Sequence, residues 1–293
     1  MPAVLLWLCV AVRIVANPCS NALQKLLTVR GVAPLAIITL THAGLSVVVA
    51  PWLATQRLPS GHEFWSYSLL AAALAIAGNW LIVEAVARSD LSVLGPINSY
   101  KPVVSLIPGM LLLGERPGGL DLLGIGLVLA GSWLLLGKSE RTHDALARLA
   151  NDRGVQLRFM ALVLSAGEAV FLKRALLVSS PGVAFSWWAV LGFLLALPLG
   201  FRPLMRAWMS RDSTAVGLGW WRPTALIATT GLMQYCTLVT FRHLPVGVAL
   251  ALFQLSTLLS VVLGYAVFRE AHFRRRLAGA TVMAGGAILL IWK

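Results

Sequence analysis

The chain alternates between apolar blocks of about 20 residues and short polar breaks. Crossing about 30 Å of hydrocarbon at a rise of about 1.5 Å per residue requires this spacing. Ten spans can be drawn, at about 3–27, 34–54, 66–87, 91–112, 119–136, 157–178, 183–201, 223–241, 246–268 and 276–292. Backbone groups left unpaired in lipid cost several kcal/mol each, so each span is expected to be a helix that satisfies its own hydrogen bonds. A membrane β-barrel would instead alternate over segments of about ten residues. The pattern predicts an all-α integral membrane protein with ten transmembrane helices.

The longest polar interval, Lys138 to Arg158, divides the spans into five and five. Leu146 and Leu149 are spaced to share one side of a surface helix within it, and the interval is too short to bury a core of its own. A repeat supports the same division. At an offset of 155, Ala77–Leu136 overlays Leu232–Ile291, matching Ser105 with Ser260, Glu115 with Glu270, Gly124 with Gly279 and Gly131 with Gly286. An odd number of helices per half makes the second half enter the membrane from the opposite side, so two inverted five-helix repeats are expected. The organisation is then 1–137 as the first repeat, 138–156 as an amphipathic linker and 157–293 as the second repeat. Small residues in the last helix of each half, Gly124, Gly126, Ala130 and Gly131, then Gly279, Ala280, Ala284, Gly285 and Gly286, suit close helix contacts within a half, between halves or in a homodimer.

Composition agrees. Of the 293 residues 58% are hydrophobic and only 12% charged, too few charges for a water-facing surface. The net charge of +13 has no soluble basic domain to carry it, so anionic lipid headgroups explain it better than nucleic acid. Cys9, Cys19 and Cys236 lie in apolar blocks without metal-ligand spacing and read as small packing residues. The start of the chain lacks a basic segment and reads as a first helix rather than a signal peptide.

Ionisable and polar groups inside the spans are the candidate chemistry, because the bilayer makes them costly. Arg13, Asn17 and Asn21 are four residues apart and stack on one side of the first helix, facing protein or a water-filled cavity. The third span carries Asn79, Trp80 and Glu84. In the fourth, Asn98, Ser99, Tyr100 and Lys101 lie between Pro96 and Pro102, and a proline frees a carbonyl one turn earlier, here near Asn98. This is the strongest candidate for a kinked or broken cavity wall. Lys101 is too deep to snorkel easily; it contacts solute or an ion partner in a cavity, or forms a structural pair with an acid such as Glu84. The second half supplies Glu168, Lys173 and Arg174, then Gln234, Tyr235 and Thr237, then Gln254, Ser256 and Thr257. The offset pairs Tyr100 with Leu255 and Lys101 with Ser256, so the charges are asymmetric on a similar scaffold. Glu84 and Glu168 are the acids deep in the spans, each readable as a proton-coupling carboxylate or as half of a buried ion pair. Glu115 and Glu270 follow apolar helices in short turns and are expected to be boundary caps or headgroup-level ion pairs. Most tryptophans fall near block ends and suit interface anchoring, with Trp80 close enough to the polar groups to bind solute.

These residues resemble the drug/metabolite transporter superfamily, in particular its ten-helix EamA-type members. The resemblance rests on a proline-containing helix, a Leu-Gly-Glu turn and a glycine-rich helix, here Asn98–Pro102, Leu113-Gly114-Glu115-Arg116-Pro117, and Gly124 with Gly131. The second copy runs from Phe268-Arg269-Glu270 to Gly279 and Gly286, with Thr257 in place of Pro102 and Arg269 in place of Gly114. It implies a central cavity lined by the first four helices of each half, peripheral fifth helices, and exchange or proton-coupled movement of amino acids, nucleoside derivatives, sugar phosphates or related metabolites. It also implies cytoplasmic termini, whereas the basic connections at 138–158, 202–222 and 274–276 favour the reverse by the positive-inside rule.

The expected function is a secondary transporter in the bacterial inner membrane, moving a small polar metabolite by alternating access, with proton coupling as one option and no cofactor. Arg13, Lys101, Lys173 and Arg174 outnumber the nearby acids, which favours an anionic or zwitterionic solute. Solute-binding candidates are Arg13, Asn17, Asn21, Trp80, Asn98, Tyr100, Lys101, Lys173, Gln234, Tyr235 and Gln254, with Glu84 and Glu168 for ion coupling. Enzyme chemistry finds no support, since there is no phosphate loop, clustered metal site or nucleophile turn, and the histidines are scattered. A flippase for a phosphate-bearing lipid or lipid-linked sugar uses the same cations, and a non-transporting scaffold would need no solvent path.

Overall fold

The structure is a computed structural model that describes residues 3–86, 97, 100–136, 152–209, 221–256, 259 and 273–291. Its helices are α1 (Ala3–Val29), α2 (Pro34–Leu53), α3 (His62–Val86), α4 (Lys101–Leu113), α5 (Gly119–Leu136), α6 (Arg153–Leu177), α7 (Pro181–Met209), α8 (Trp221–His243), α9 (Val246–Phe253) and α10 (Phe273–Ile291). No strand occurs among the described residues. Six of these helices, α1, α2, α3, α6, α7 and α8, are long and apolar enough to cross a membrane, and apolar stretches in α4, α5 and α10 are shorter. The chain is a multi-pass membrane protein.

Local chemistry explains where the helices start and stop. Pro34 opens α2 and Pro181 opens α7, positions where a missing N–H costs nothing. Asp152 caps α6, its carboxylate accepting the N–H groups of Gly154 at 2.8 Å and Val155 at 3.2 Å. Asp121 reaches back to the Gly118 N–H at 2.8 Å and closes the start of α5. At the end of α4 the chain turns through Gly114 at φ 66°, a left-handed conformation that disfavours residues with a side chain. The Glu115 N–H then returns to the Gly109 carbonyl at 3.2 Å.

The residues separate into two compact units, Met1–Ile76 with Phe171–His243 and Ala77–Val170 with Leu244–Lys293, so the boundary falls within α3 and α6. Each unit draws on both halves of the sequence.

In the first unit α1 packs on α8, and α2 packs on α7 and α8. Arg13 with Thr237 and Ser20 with Thr230 show α1 and α8 to be antiparallel, since one number rises as the other falls. On α7, Gly182 lies under Trp52, Gly192 under His42 and Gly200 under Thr39, so α2 and α7 are antiparallel as well.

In the second unit α5 packs on α10 and α4 on α9. A methyl group placed on Gly131 would lie 2.6 Å from the Gly279 carbonyl, and one on Gly286 would lie 2.7 Å from the Gly124 carbonyl, so this seam closes backbone to backbone. Of the roles open to the small residues, Gly124, Gly131, Gly279 and Gly286 serve the contact between the last helices of the two halves. Gly78 of α3 meets Ala161, Leu164 and Ser165 of α6, and Leu81 and Ala85 share a core with Val155, Leu157 and Ala161.

Two expected continuous spans are interrupted. Over 91–112 the described helix begins at Lys101 after a turn at Tyr100, and over 246–268 it ends at Phe253, with a turn at Gln254–Leu255. Pro102 suits the first, because in the first turn of a helix its missing N–H costs no hydrogen bond, whereas inside a continuous helix it would leave the carbonyl one turn earlier unpaired. The second has no proline; Gln254 and Leu255 donate three residues back to Ala251 and Leu252, at 3.0 Å each, and tighten the final turn. The repeat offset makes these two places equivalent.

Candidate functional site

The candidate residues divide between the units, and the second unit holds Glu84, Lys101 and Glu168. Lys101, at the start of α4, is the charged group that acts electrostatically on Glu168 of α6, and both side chains are half-buried. Glu84 of α3, half-buried, belongs to the same unit. Lys101, Glu84 and Glu168 thus fall within one unit, where the charge of Lys101 bears on Glu168.

The Leu-Gly-Glu turn positions the neighbouring helix. Val246, the first residue of α9, donates its N–H to both carboxylate oxygens of Glu115, at 3.0 and 2.9 Å. A carboxylate there satisfies an orphan donor and lies at the positive end of the helix dipole. The expected boundary cap is therefore found, on a helix from the other half of the sequence. Gly247 then lies against Leu106 and the Pro102 carbonyl, so α9 runs back along α4. From Gly247 to Phe253 is about 9 Å along α9, and from Leu106 to Lys101 about 7.5 Å along α4. The interruption at Gln254 and Leu255 is thus level with Tyr100 and Lys101. Gln254 is half-buried, Ser256 buried, Tyr100 exposed and Trp80 49% exposed. Asn98 lies outside the described residues, as do Glu270 and most of the 138–156 linker.

The first unit holds the rest. Arg13 Nε donates to Thr237 Oγ1 at 2.8 Å, tying α1 to α8. Asn17 is half-buried and Asn21 exposed, so the stripe grows more exposed along α1. Gln234 and Lys173 are each 8% exposed, while Tyr235 is exposed and meets Phe185 edge-on at 5.8 Å. Arg174 lies over the Tyr67 ring at 5.8 Å, and Tyr67 stacks on Phe171 at 6.3 Å. Arg242 of α8 donates to the Leu176 carbonyl at 2.9 Å, a cation closing the C-terminal end of α6.

Three features escaped the sequence reading. Ser20 and Thr230 hydrogen-bond at 2.8 Å, both buried, and neither residue type stands out in an apolar block. His42 is buried in the span of α2, its ring 4.5 Å from Trp188 and against Gly192, and its Nδ1 has no hydrogen-bond partner among the described residues. Its position inside an apolar span was the available signal. Arg158 belongs to α6 rather than to the polar interval, with a buried Nε that has no hydrogen-bond partner among the described residues. No metal-binding cluster of His, Cys, Asp or Glu occurs among the described residues.

Residues 4–137 match the EamA-like transporter family. No curated protein matches the chain. A solved structure titled "Crystal structure of protein" is similar in fold, with a TM-score of 0.71 at 16% sequence identity, over 97% of this chain and 96% of that one.

Proposed function

From the match of residues 4–137 to the EamA-like transporter family, we propose that this chain is a membrane transporter of the drug/metabolite type and that it moves a small polar metabolite, anionic or zwitterionic, by alternating access. The observation that carries this reading is that Lys101, whose charge bears on Glu168 of α6, stands at the start of α4 where the helix is interrupted, level with the interruption after α9. Charges in a membrane bundle are costly and are placed where a solute or ion needs them. Interrupted helices at corresponding places in two halves are a frequent setting for a transporter's binding site. A zwitterion offers opposite charges to such a pair, and an anion would take Lys101 while Glu168 accepts a proton. Glu84 or Glu168 is the proton-coupling carboxylate in this reading.

Helix pairing supports two inverted repeats, 1–137 and 157–293, joined by the linker 138–156. Replacing each helix by its counterpart five places on turns α1–α8 into α6–α3 and leaves α2–α7, α4–α9 and α5–α10 as they are. A two-fold relation between the halves has that consequence. The bacterial inner membrane is the expected location, with lipids as partners and a homodimer compatible with the fold.

The test is solute flux into proteoliposomes, using metabolites that first stabilise the purified protein against heat. Lys101→Ala and Glu168→Gln are each expected to lower flux by about tenfold or more with the helical content unchanged. Wild-type flux in both variants would overturn the site, and lipid scrambling without solute flux would favour the flippase.

A further inference from the structure

Three cysteines occur in the chain, and the helix packing sorts them unequally. Cys19 of α1 is exposed, whereas Cys9 of α1 and Cys236 of α8 are buried, at 9% and 4% exposure, and share one small cluster with Val12 and Val239. The register explains the meeting. Arg13–Thr237 and Ser20–Thr230 set α1 antiparallel to α8. Cys9 stands one turn before Arg13 on the same side of α1, and Cys236 is the residue before Thr237. The two thiols are within hydrogen-bonding reach of each other.

We propose that Cys9 and Cys236 are a redox-sensitive dithiol whose oxidation by a membrane-dissolved hydroperoxide ties α1 covalently to α8. Burial in the span selects the oxidant, because a lipid hydroperoxide partitions into hydrocarbon and a water-borne oxidant does not. One thiol attacks the terminal peroxide oxygen as it gives up its proton, the O–O bond breaks, and the alkoxide takes that proton and leaves as an alcohol, giving a sulfenic acid. The second thiol attacks that sulfur, the S–O bond breaks and water leaves. The sum is two thiols and one hydroperoxide giving a disulfide, an alcohol and water. Arg13 lies one turn from the bridge, so in the transporter reading, on which this consequence rests, the crosslink holds a candidate solute residue in one place and slows flux.

The experiment treats the full-length protein in proteoliposomes with cumene hydroperoxide, blocks remaining thiols with N-ethylmaleimide and reads peptides by mass spectrometry. The expected result is a Cys9–Cys236 disulfide, reversed by dithiothreitol and absent in Cys9→Ser, with Cys19 still alkylated. Free alkylated Cys9 and Cys236 after treatment would overturn the dithiol, whether or not a transported solute has been found. With a solute in hand, flux is expected to fall severalfold on oxidation and recover on reduction, with Cys236→Ser insensitive. A complete disulfide with unchanged flux would overturn the regulatory consequence alone.

Discussion

The α1–α8 contact of one unit and the α5–α10 contact of the other are both antiparallel helix pairs, yet they are held by opposite means. The first is bonded by side chains, with Arg13 on Thr237 and Ser20 on Thr230. The second brings Gly131 against the Gly279 carbonyl and Gly286 against the Gly124 carbonyl, so its attraction is backbone packing. In lipid no hydrophobic force distinguishes one apolar surface from another, so helices associate either through removed side chains or through polar groups in register. The α1–α8 seam places an arginine, a glutamine and two thiols on its helices, so the proposed dithiol lies on the side-chain-bonded contact.

The comparison breaks most severely at the glycine seam. Gly131→Val puts a branched side chain into the Gly279 backbone, and a loss of about 3 kcal/mol or more is expected in detergent unfolding. Gly126→Val on the same helix meets nothing within 4 Å and is expected to leave stability nearly unchanged. Equal losses in the two variants would mean that helix propensity, rather than the seam, sets the cost. Next comes Glu115→Ala, which strips the α9 N-terminus of its acceptor and is expected to cost about 1–3 kcal/mol. Hydrogen exchange should rise at the first turn of α9 and not in α8; unchanged exchange at Val246 would refute the cap. The smallest effect belongs to the polar seam, where Ser20→Ala is expected to cost about 0.6 kcal/mol, because polar groups in membranes find other partners when unfolded. A loss above about 2 kcal/mol would show that this bond, rather than general packing, anchors α1.

Helix positions were largely legible along the chain. The spans drawn at 34–54 and 119–136 compare with helices at Pro34–Leu53 and Gly119–Leu136, because hydropathy and capping residues act locally. The Pro102 interruption was legible for the same reason, while the one at Gln254 carries no proline and was not. Glu115 could be read as a cap from its place after a helix. Its recipient, Val246, could not, being 131 residues away. The cysteines read as packing residues, since nothing near Cys9 refers to Cys236.

By itself the sequence determined which segments are apolar enough to be candidate crossings and that these are helices, because a backbone in lipid must pair its polar groups within each crossing and apolar length is a local property. Only the tertiary structure decided which helix lies beside which, and so that Val246 takes its cap from Glu115 and that Arg13 is tied to Thr237. The physical reason is that a side chain in the membrane takes its partner from whatever helix packs against it, and that neighbour is chosen by shape and register across the whole bundle.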